Sequence, residues 1–394
     1  VALGFQLREE EIDDTPGEAS RRQNRWGQTT AGRTAGGDEV KEAFAEFEIP
    51  LLRGLPFAER LTANLSGRFS DYESYGESKT YKIGLNWAIT PEWRIRASKG
   101  TSFRAPALYE QYLGNQTGFL AQGSIDACIQ YEDQTNATLA ANCAFLGIPI
   151  DFNGSGSSAT IITGGGKGVL DPETAEARTL GVIWTPEFID LSVAVDYFEF
   201  DLDDEIRTFG AANIVRQCYR DSNFAAGQFS PFCSLFNRDP VTFQITQVNN
   251  SYVNVANQQN RGLDLSVRYN HEFSFGDLTI DGRATWQFEA ITKLLGNSTP
   301  EDNNGETTEP DFNASLASFL RRGDWTYVWS VDAIGKQSDT EAFGGDVFFS
   351  SRYGQSVYYK QYNELTIYHA FSVRREMDDW TFIAGVRNAF DERP

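Results

Sequence analysis

Residues Gln258 to Tyr269 read QQNRGLDLSVRY, and the fold turns on how this stretch is oriented. From Gly262 onward, Leu263, Leu265, Val267 and Tyr269 alternate with Asp264, Ser266, Arg268 and Asn270. Strict period-two alternation marks a strand with one apolar and one polar face. Here the polar face carries full charges. In a soluble sandwich the apolar face turns inward and the polar face meets water. In a membrane barrel the order inverts, with apolar residues meeting lipid and charged ones lining a wet lumen. The rest of the chain decides between the two.

Composition narrows the field. The chain has 394 residues, 13% aromatics, 35 Gly, one Met and two His, which suits strands and turns. Mean hydropathy is -0.42. No run of about 18 apolar residues occurs, so a transmembrane helix is excluded while a barrel of short, half-apolar strands is not. The net charge of -21 repels phosphate backbones and sets nucleic acid aside as a partner. Val1 to Leu7 runs straight into REEEIDD with no basic leader, and a strand at residue 1 reads as part of a longer chain.

Cysteines fall in two equally spaced pairs, Cys128 with Cys143 and Cys218 with Cys233, each within a polar segment. Two local disulfides are the simplest of three pairings and imply an oxidising compartment. Free thiols are the alternative. A metal site would need closer spacing and nearby His, so no metal or cofactor is expected.

Along the chain, alternating segments recur. Examples are Ala43 to Ile49, Leu61 to Phe69, Tyr81 to Trp87, Trp93 to Ala97, Leu180 to Trp184, Leu191 to Tyr197 and Leu278 to Phe288. Others lie around 312–320, 325–335, 365–373 and 380–386. Short turns such as Thr90-Pro91-Glu92 and Thr185-Pro186-Glu187 join some of them. Long polar segments, about 11–38, 103–174, 203–249, 291–311 and 337–358, join the others. This asymmetry of short turns and long loops is that of an outer-membrane barrel. Trp87, Trp93, Trp184, Trp325 and Trp380 all sit near the short turns, as in an interfacial girdle. About thirteen strands are counted, whereas single-chain bacterial barrels close with an even number, so part of the wall is expected elsewhere.

Four segments, in this order, resemble those of one family, the TonB-dependent outer-membrane receptors. They are Thr101 to Pro106 with Leu108-Tyr109-Glu110, Leu170 to Glu173 running through Gly181-Val182, Gln259 to Asp264, and Val386 to Asp391. The resemblance implies an all-β, antiparallel transmembrane β-barrel of about 22 strands around a plug. Residues 1–394 would supply about strands 9 to 21, without the plug. It further implies a bacterial outer-membrane location among lipid and lipopolysaccharide, with energy from the TonB complex reaching the receptor through the plug. The expected function is active uptake of a scarce nutrient, a saccharide ahead of an iron–siderophore. Paired loop cysteines resemble a saccharide-linked subgroup, and a -21 chain is an odd host for anionic chelates. A passive porin or an adhesive, structural barrel is the alternative. A surface or periplasmic binding partner is a further expectation.

Sites follow from parity and residue type. Arg68, Arg94, Arg96, Asp196, Asp264, Arg268, Asp281 and Arg283 share the lumen-facing parity and would hold a plug by ion pairs, or simply solvate the interior. For a small-molecule or oligosaccharide substrate, the loops offer Arg104, Tyr109, Tyr112 and Asn115, then Tyr219, Arg220, Phe229 and Phe232. Aromatic faces stack on rings, and Arg grips carboxylates bidentately. Gly164 to Gly168 lacks the Ser/Thr and helix of a phosphate loop and reads as a flexible loop. Asp201, Asp203, Asp204 and Glu205 lack the spacing of a calcium loop and read as solvated acids. His271 and His369 are isolated, no catalytic grouping stands out, and no enzyme is expected.

Overall fold

Each alternating segment becomes one strand of a single antiparallel sheet in a computed structural model of the chain. The structure describes residues 1–22, 29–133, 136–154, 156–294, 300–340, 345–350 and 354–393. The wall strands are β1 (Ala2–Asp14), β2 (Thr34–Leu55), β3 (Ala58–Tyr72), β4 (Gly76–Ala88), β5 (Trp93–Arg104), β6 (Glu173–Trp184) and β7 (Leu191–Thr208). They continue as β8 (Tyr252–Phe273), β9 (Gly276–Lys293), β10 (Phe312–Arg322), β11 (Trp325–Ile334), β12 (Thr366–Met377) and β13 (Trp380–Val386). All pair in chain order, Glu301–Asp302 adds to β9, and β1 and β13 form the two edges.

Register shows that the two faces keep their character from strand to strand. Leu52, Leu61, Trp87, Ile95, Val182, Val195, Leu265, Ala284, Ala314, Ala333 and Ile367 form one unbroken cross-strand row. The adjacent row runs Thr62, Asn86, Arg96, Gly181, Asp196, Asp264, Thr285 and Asn313. A side-chain period of two keeps each row on one face. Asn86, Arg96, Asp196, Asp264 and Thr285 of this row line a cavity of 1340 Å³, so the row faces the inside of the wall.

Among the described residues no apolar layer covers the opposite face. Ile83 and Leu180 are each 54% exposed, and Leu65, Val182, Trp286 and Ile367 are exposed as well. The buried apolar cluster lies instead in the two long connections, among residues 125–161 and 209–248. A sheet with its grease outside and its packed core elsewhere is the barrel arrangement rather than the sandwich. At the short-turn end Trp93 stacks on its cross-strand partner Trp184 with centroids 5.7 Å apart. Trp87 Nε1 donates to the Phe57 carbonyl at 2.9 Å, and the Arg375 guanidinium lies over Trp325.

The connections depart from the sequence reading. Segment 103–174, expected to be irregular, contains helices Leu108–Tyr112 and Ala137–Phe145 and strands Gln116–Ala121 and Ser158–Thr163. Segment 203–249 supplies helix Ala211–Tyr219 and strands Phe236–Arg238 and Ile245–Asn249. These four strands make one small sheet in the order 236–238, 245–249, 158–163, 116–121, so the two connections fold together as one cap. Local patterns do not reveal this, because Ile245–Asn249 pairs in parallel with Ser158–Thr163 across a long stretch of sequence. Both disulfides form, Cys128 to Cys143 and Cys218 to Cys233, with Cα atoms 5.6 and 4.9 Å apart.

Several wall strands also run longer than their patterns implied. β1 continues to Asp14 and β2 starts at Thr34, while β7 continues to Thr208 by pairing with Tyr252–Asn254. Asp201, Asp203, Asp204 and Glu205 therefore lie on a strand rather than in a loop. Parts of the expected loops, 23–28, 295–299, 341–344 and 351–353, lie outside the described residues.

Candidate functional site

The inner wall carries all eight charged residues selected by parity. Arg96 on β5 bonds Asp196 on β7 through Nε and an Nη at 2.6 and 2.5 Å. Arg68 meets Glu42 at 3.4 Å and lies over the Phe44 ring. Arg268 faces Asp281 at 3.7 Å, and Asp264 accepts from the Thr285 hydroxyl at 2.6 Å. Arg94 and Arg283 make no ion pair among the described residues. Six of the eight thus have a polar partner within the wall, and the guanidiniums of Arg94 and Arg283 remain open to whatever fills the lumen.

Phe198 and Phe200, stacked 5.5 Å apart, form an apolar island on the same face. Gly262 is what admits it, since a Cβ there would lie 2.4 Å from the Phe198 ring. Charge alternation does not mark these rings, although their even numbering after Asp196 places them inside.

At the long-loop end the inner wall opens into a pocket of 520 Å³ lined by Arg8, Glu10, Asp38, Arg68, Tyr72, Phe103 and Arg104, among others. Arg8 pairs with Glu10 at 2.9 Å, and Tyr72 lies edge-on to Phe103. Arg8, Tyr72 and Phe103 are not among the expected site residues: Tyr72 lies beyond Phe69, where the sequence pattern of β3 ends, and Phe103 at the start of the expected loop 103–174. Arg104 is held in a double fork, by Glu173 at 2.6 and 2.6 Å and by Glu110 at 2.8 and 3.0 Å. These two carboxylates raise the Arg104 pKa against the opposing effect of burial. Burial pushes the Glu173 carboxyl up, but hydrogen bonds from Arg104 and the Ile206 N–H outweigh it and leave the pKa lowered. Arg104 is therefore a brace at the base of the cap.

The neighbouring candidates divide the same way. Tyr112 donates its hydroxyl to the Gly37 carbonyl at 2.8 Å, and Lys167 lies over its ring. Asn115 accepts the Gly32 N–H through its backbone. Tyr109 is 41% exposed and sits beside Tyr252 at the rim, so it is the best presented of the four. The glycine run expected to flex is pinned here: Gly165, Gly166 and Lys167 donate their N–H groups to the carbonyls of Leu113, Glu110 and Gln111. A Cβ at Gly165 would lie 2.2 Å from the Gln111 oxygen.

In the cap, Tyr219 is buried and accepts from Arg238 Nε at 2.9 Å, so it is core rather than a ligand contact. Burial raises the Tyr219 pKa, with Arg238 partly offsetting it. Phe232 stacks on Phe209. Phe229 and Arg220 remain exposed, and Phe229 lines a cleft of 370 Å³ with Phe224, Phe236 and Phe243. The mouth group and the cap group therefore occupy separate places.

His271 and His369 lie among outward-facing aromatics, the latter accepting from Trp329 Nε1 at 3.2 Å. Among the described residues no group of His, Cys, Asp and Glu could hold a metal. The arrangement can line a wet passage, present aromatic and ionic groups at its mouth, and cover part of that mouth with a braced cap.

Comparison with known proteins agrees with the architecture. Residues 3–389 match the family described as TonB dependent receptor-like, beta-barrel. The vitamin B12 transporter BtuB of Vibrio cholerae serotype O1 is 34% identical over 87 residues, 22% of this chain and 13% of BtuB. A variant of the ferric enterobactin receptor PfeA from Pseudomonas aeruginosa, in complex with enterobactin, superposes with a TM-score of 0.59 at 15% identity, covering 99% of this chain and 46% of that one. The siderophore receptor PirA from Acinetobacter baumannii gives 0.57 at 13% identity, covering 99% and 47%. The chain thus spans about half the length of the solved receptors it matches. Likeness at this identity speaks to the fold alone.

Proposed function

Because the chain belongs to the TonB-dependent receptor family of outer-membrane β-barrels, we propose that the protein of which it forms part actively takes up a scarce nutrient across the outer membrane. The observation that carries this reading is the pairing of an uncovered apolar outer face with an ionic inner wall. The long connections face outward from the cell, and the nutrient is captured at the mouth by Tyr109, Tyr72, Phe103 and Arg8. From there it passes along the inner wall once the TonB complex acts on the plug. Arg94 and Arg283 are the wall cations that meet the plug.

The expectation of a saccharide finds no support in the comparisons. The ligands named for the similar receptors are vitamin B12 and enterobactin, so a bulky metal chelate takes the saccharide's place as the proposed cargo. A passive porin has no support either, and the family is one of receptors and transporters rather than enzymes.

The test is uptake by cells carrying the full-length receptor, with and without a working TonB system, offered cobalamin, ferric siderophores and oligosaccharides. Accumulation of one metal chelate that stops when TonB is lost is the expected result. Uptake that persists without TonB would overturn the energy-coupled reading, and TonB-dependent uptake of an oligosaccharide alone would overturn the cargo.

A further inference from the structure

The net charge of -21 is unevenly placed. The long connections, 11–38, 103–174, 203–249, 291–311 and 337–358, hold 25 Asp and Glu against 12 Lys and Arg, more than half of the excess. The mouth pocket sharpens this imbalance. Arg8, Arg68 and Arg104 line it, and each is already committed to carboxylates. Arg8 pairs with Glu10 at 2.9 Å, Arg68 meets Glu42 at 3.4 Å, and Arg104 is shared by Glu110 and Glu173. Asp38 lines the same pocket and makes no ion pair among the described residues. Its carboxylate accepts from the Ser74 N–H and hydroxyl at 3.1 and 2.6 Å. Three guanidiniums thus face five carboxylates. The Lys167 ammonium lies over the Tyr112 ring at 4.6 Å.

A guanidinium held in a fork can grip an anionic ligand only by giving up a carboxylate. The side chains of Glu42 and Glu173 are only 4% and 9% exposed, so either one left behind would be a stranded, nearly buried charge. Arg8 is more exposed, but it presents itself together with Glu10 as a neutral pair. The pocket therefore has no cation to lend. What it offers is the edge-on pair of Tyr72 and Phe103, with Tyr75 stacked on Tyr72 at 4.5 Å. Aromatic faces accept apolar rings and cations and repel anions. A second group of acids lies at the same end of the wall. Glu301, Asp302 and Glu306 of the β9–β10 connection approach Asp339 of the β11–β12 connection, whose Oδ1 accepts from the Thr307 N–H at 2.8 Å. Burial, joined by the charges of Asp339, Glu301 and Asp302, raises the Glu306 carboxyl pKa.

We propose that the mouth sorts its cargo by charge, admitting a neutral or cationic metal chelate and turning away polyanionic ones such as a ferric tris-catecholate. A cleft lined by an excess of one sign raises the local concentration and on-rate of opposite charges and lowers those of like charges. Salt screens both effects. The inference rests on the uptake reading above, with the long connections outside, and narrows its cargo. It concerns entry at the mouth, not the inner wall below.

The experiment places one thiol in the pocket of the full-length receptor, Ser102→Cys, at an exposed position of the pocket lining. The four cysteines of this chain are disulfide-bonded and do not compete. In uncharged detergent, the rates of reaction with a cationic and an anionic methanethiosulfonate of similar size are measured, and their ratio is set against that of a free thiol in solution. The cationic-to-anionic ratio should exceed the solution ratio roughly tenfold at low salt and fall toward it as salt is added. In the same background Glu10→Gln should lower the ratio and Arg8→Gln should raise it. A ratio no higher than that of the free thiol, or one that neither substitution moves, would overturn the proposal. In cells, a ferric tris-catecholate should not accumulate through the receptor, and its TonB-dependent uptake would overturn the proposal as well. The thiol ratio needs neither TonB nor a cargo, so a failure of the uptake reading shows in the cells while the ratio reports on the mouth alone.

Discussion

Arg96 reaches Asp196 by passing over Gly181, the residue that separates them in the cross-strand row. A Cβ at Gly181 would lie 1.9 Å from Asp196 Oδ1 and 3.1 Å from Arg96 Cγ. The inner wall thus uses a missing side chain on one strand to link its two neighbours. Gly181→Val should break the link. Arg96 remains about half exposed, and such pairs contribute only about 0–1 kcal/mol. The steric clash should therefore dominate, and Gly181→Val should lower the melting temperature of the folded barrel more than Asp196→Asn does. Calorimetry in detergent checks the order of the two.

Inside the cap the balance is different. Arg238 and Asp126 come from different connections, are almost wholly buried, and meet through bonds of 2.8 and 2.6 Å. Removing one member of such a pair strands a buried charge at a cost of roughly 3–5 kcal/mol. Asp126→Ala should open the cap, seen as faster hydrogen exchange over 209–249, while the wall strands keep their protection. Asp126→Leu with Arg238→Met should recover most of that protection.

Each disulfide closes a separation of 15 residues, a loop for which a crosslink contributes about 3 kcal/mol. Reduction should leave the wall folded and expose the cap to protease. Limited proteolysis with and without reductant, followed by mass spectrometry, should place the new cuts within 105–172 and 209–251. Cuts within wall strands would show that the cap supports the barrel.

Acid should loosen the base of the cap through Glu173. Its folded-state carboxyl pKa lies below the ordinary value, so its contribution is complete above the usual Glu range and is lost as pH falls through the lowered value. Hydrogen exchange over 105–115 should therefore rise on acidification below about pH 4. Glu173→Gln should show the faster exchange already at neutral pH and little further change.

How much of this was legible in the sequence depends on the range of the interactions. Alternation at Leu263/Asp264 reports a purely local period, so the wall, its inverted faces and the parity of Arg96 and Asp196 could be read directly. Spacing of the cysteines gave both disulfides. The cap was hidden because its order comes from distant partners: Gln122 with Ile245, Asp126 with Arg238, and Asn142 with Tyr219. For the same reason the protein partners of Tyr219 and Arg104 could not be read from the sequence. Aromatic and guanidinium groups in a polar loop read as ligand contacts until their protein partners are known. Gly165 and Gly166 show the converse error, since glycine served close packing there rather than flexibility.

The central claim is the direction in which the wall faces. All four cysteines are disulfide-bonded, so a single introduced thiol can carry a nitroxide. Full-length receptor bearing Leu265→Cys or Asp264→Cys is labelled, placed in lipid vesicles, and measured for collision with oxygen, which favours lipid, and with a water-soluble nickel chelate. The account predicts that the label at 265 collides with oxygen and the label at 264 with the chelate. The reverse pattern, or a label at 265 shielded from both, would contradict it.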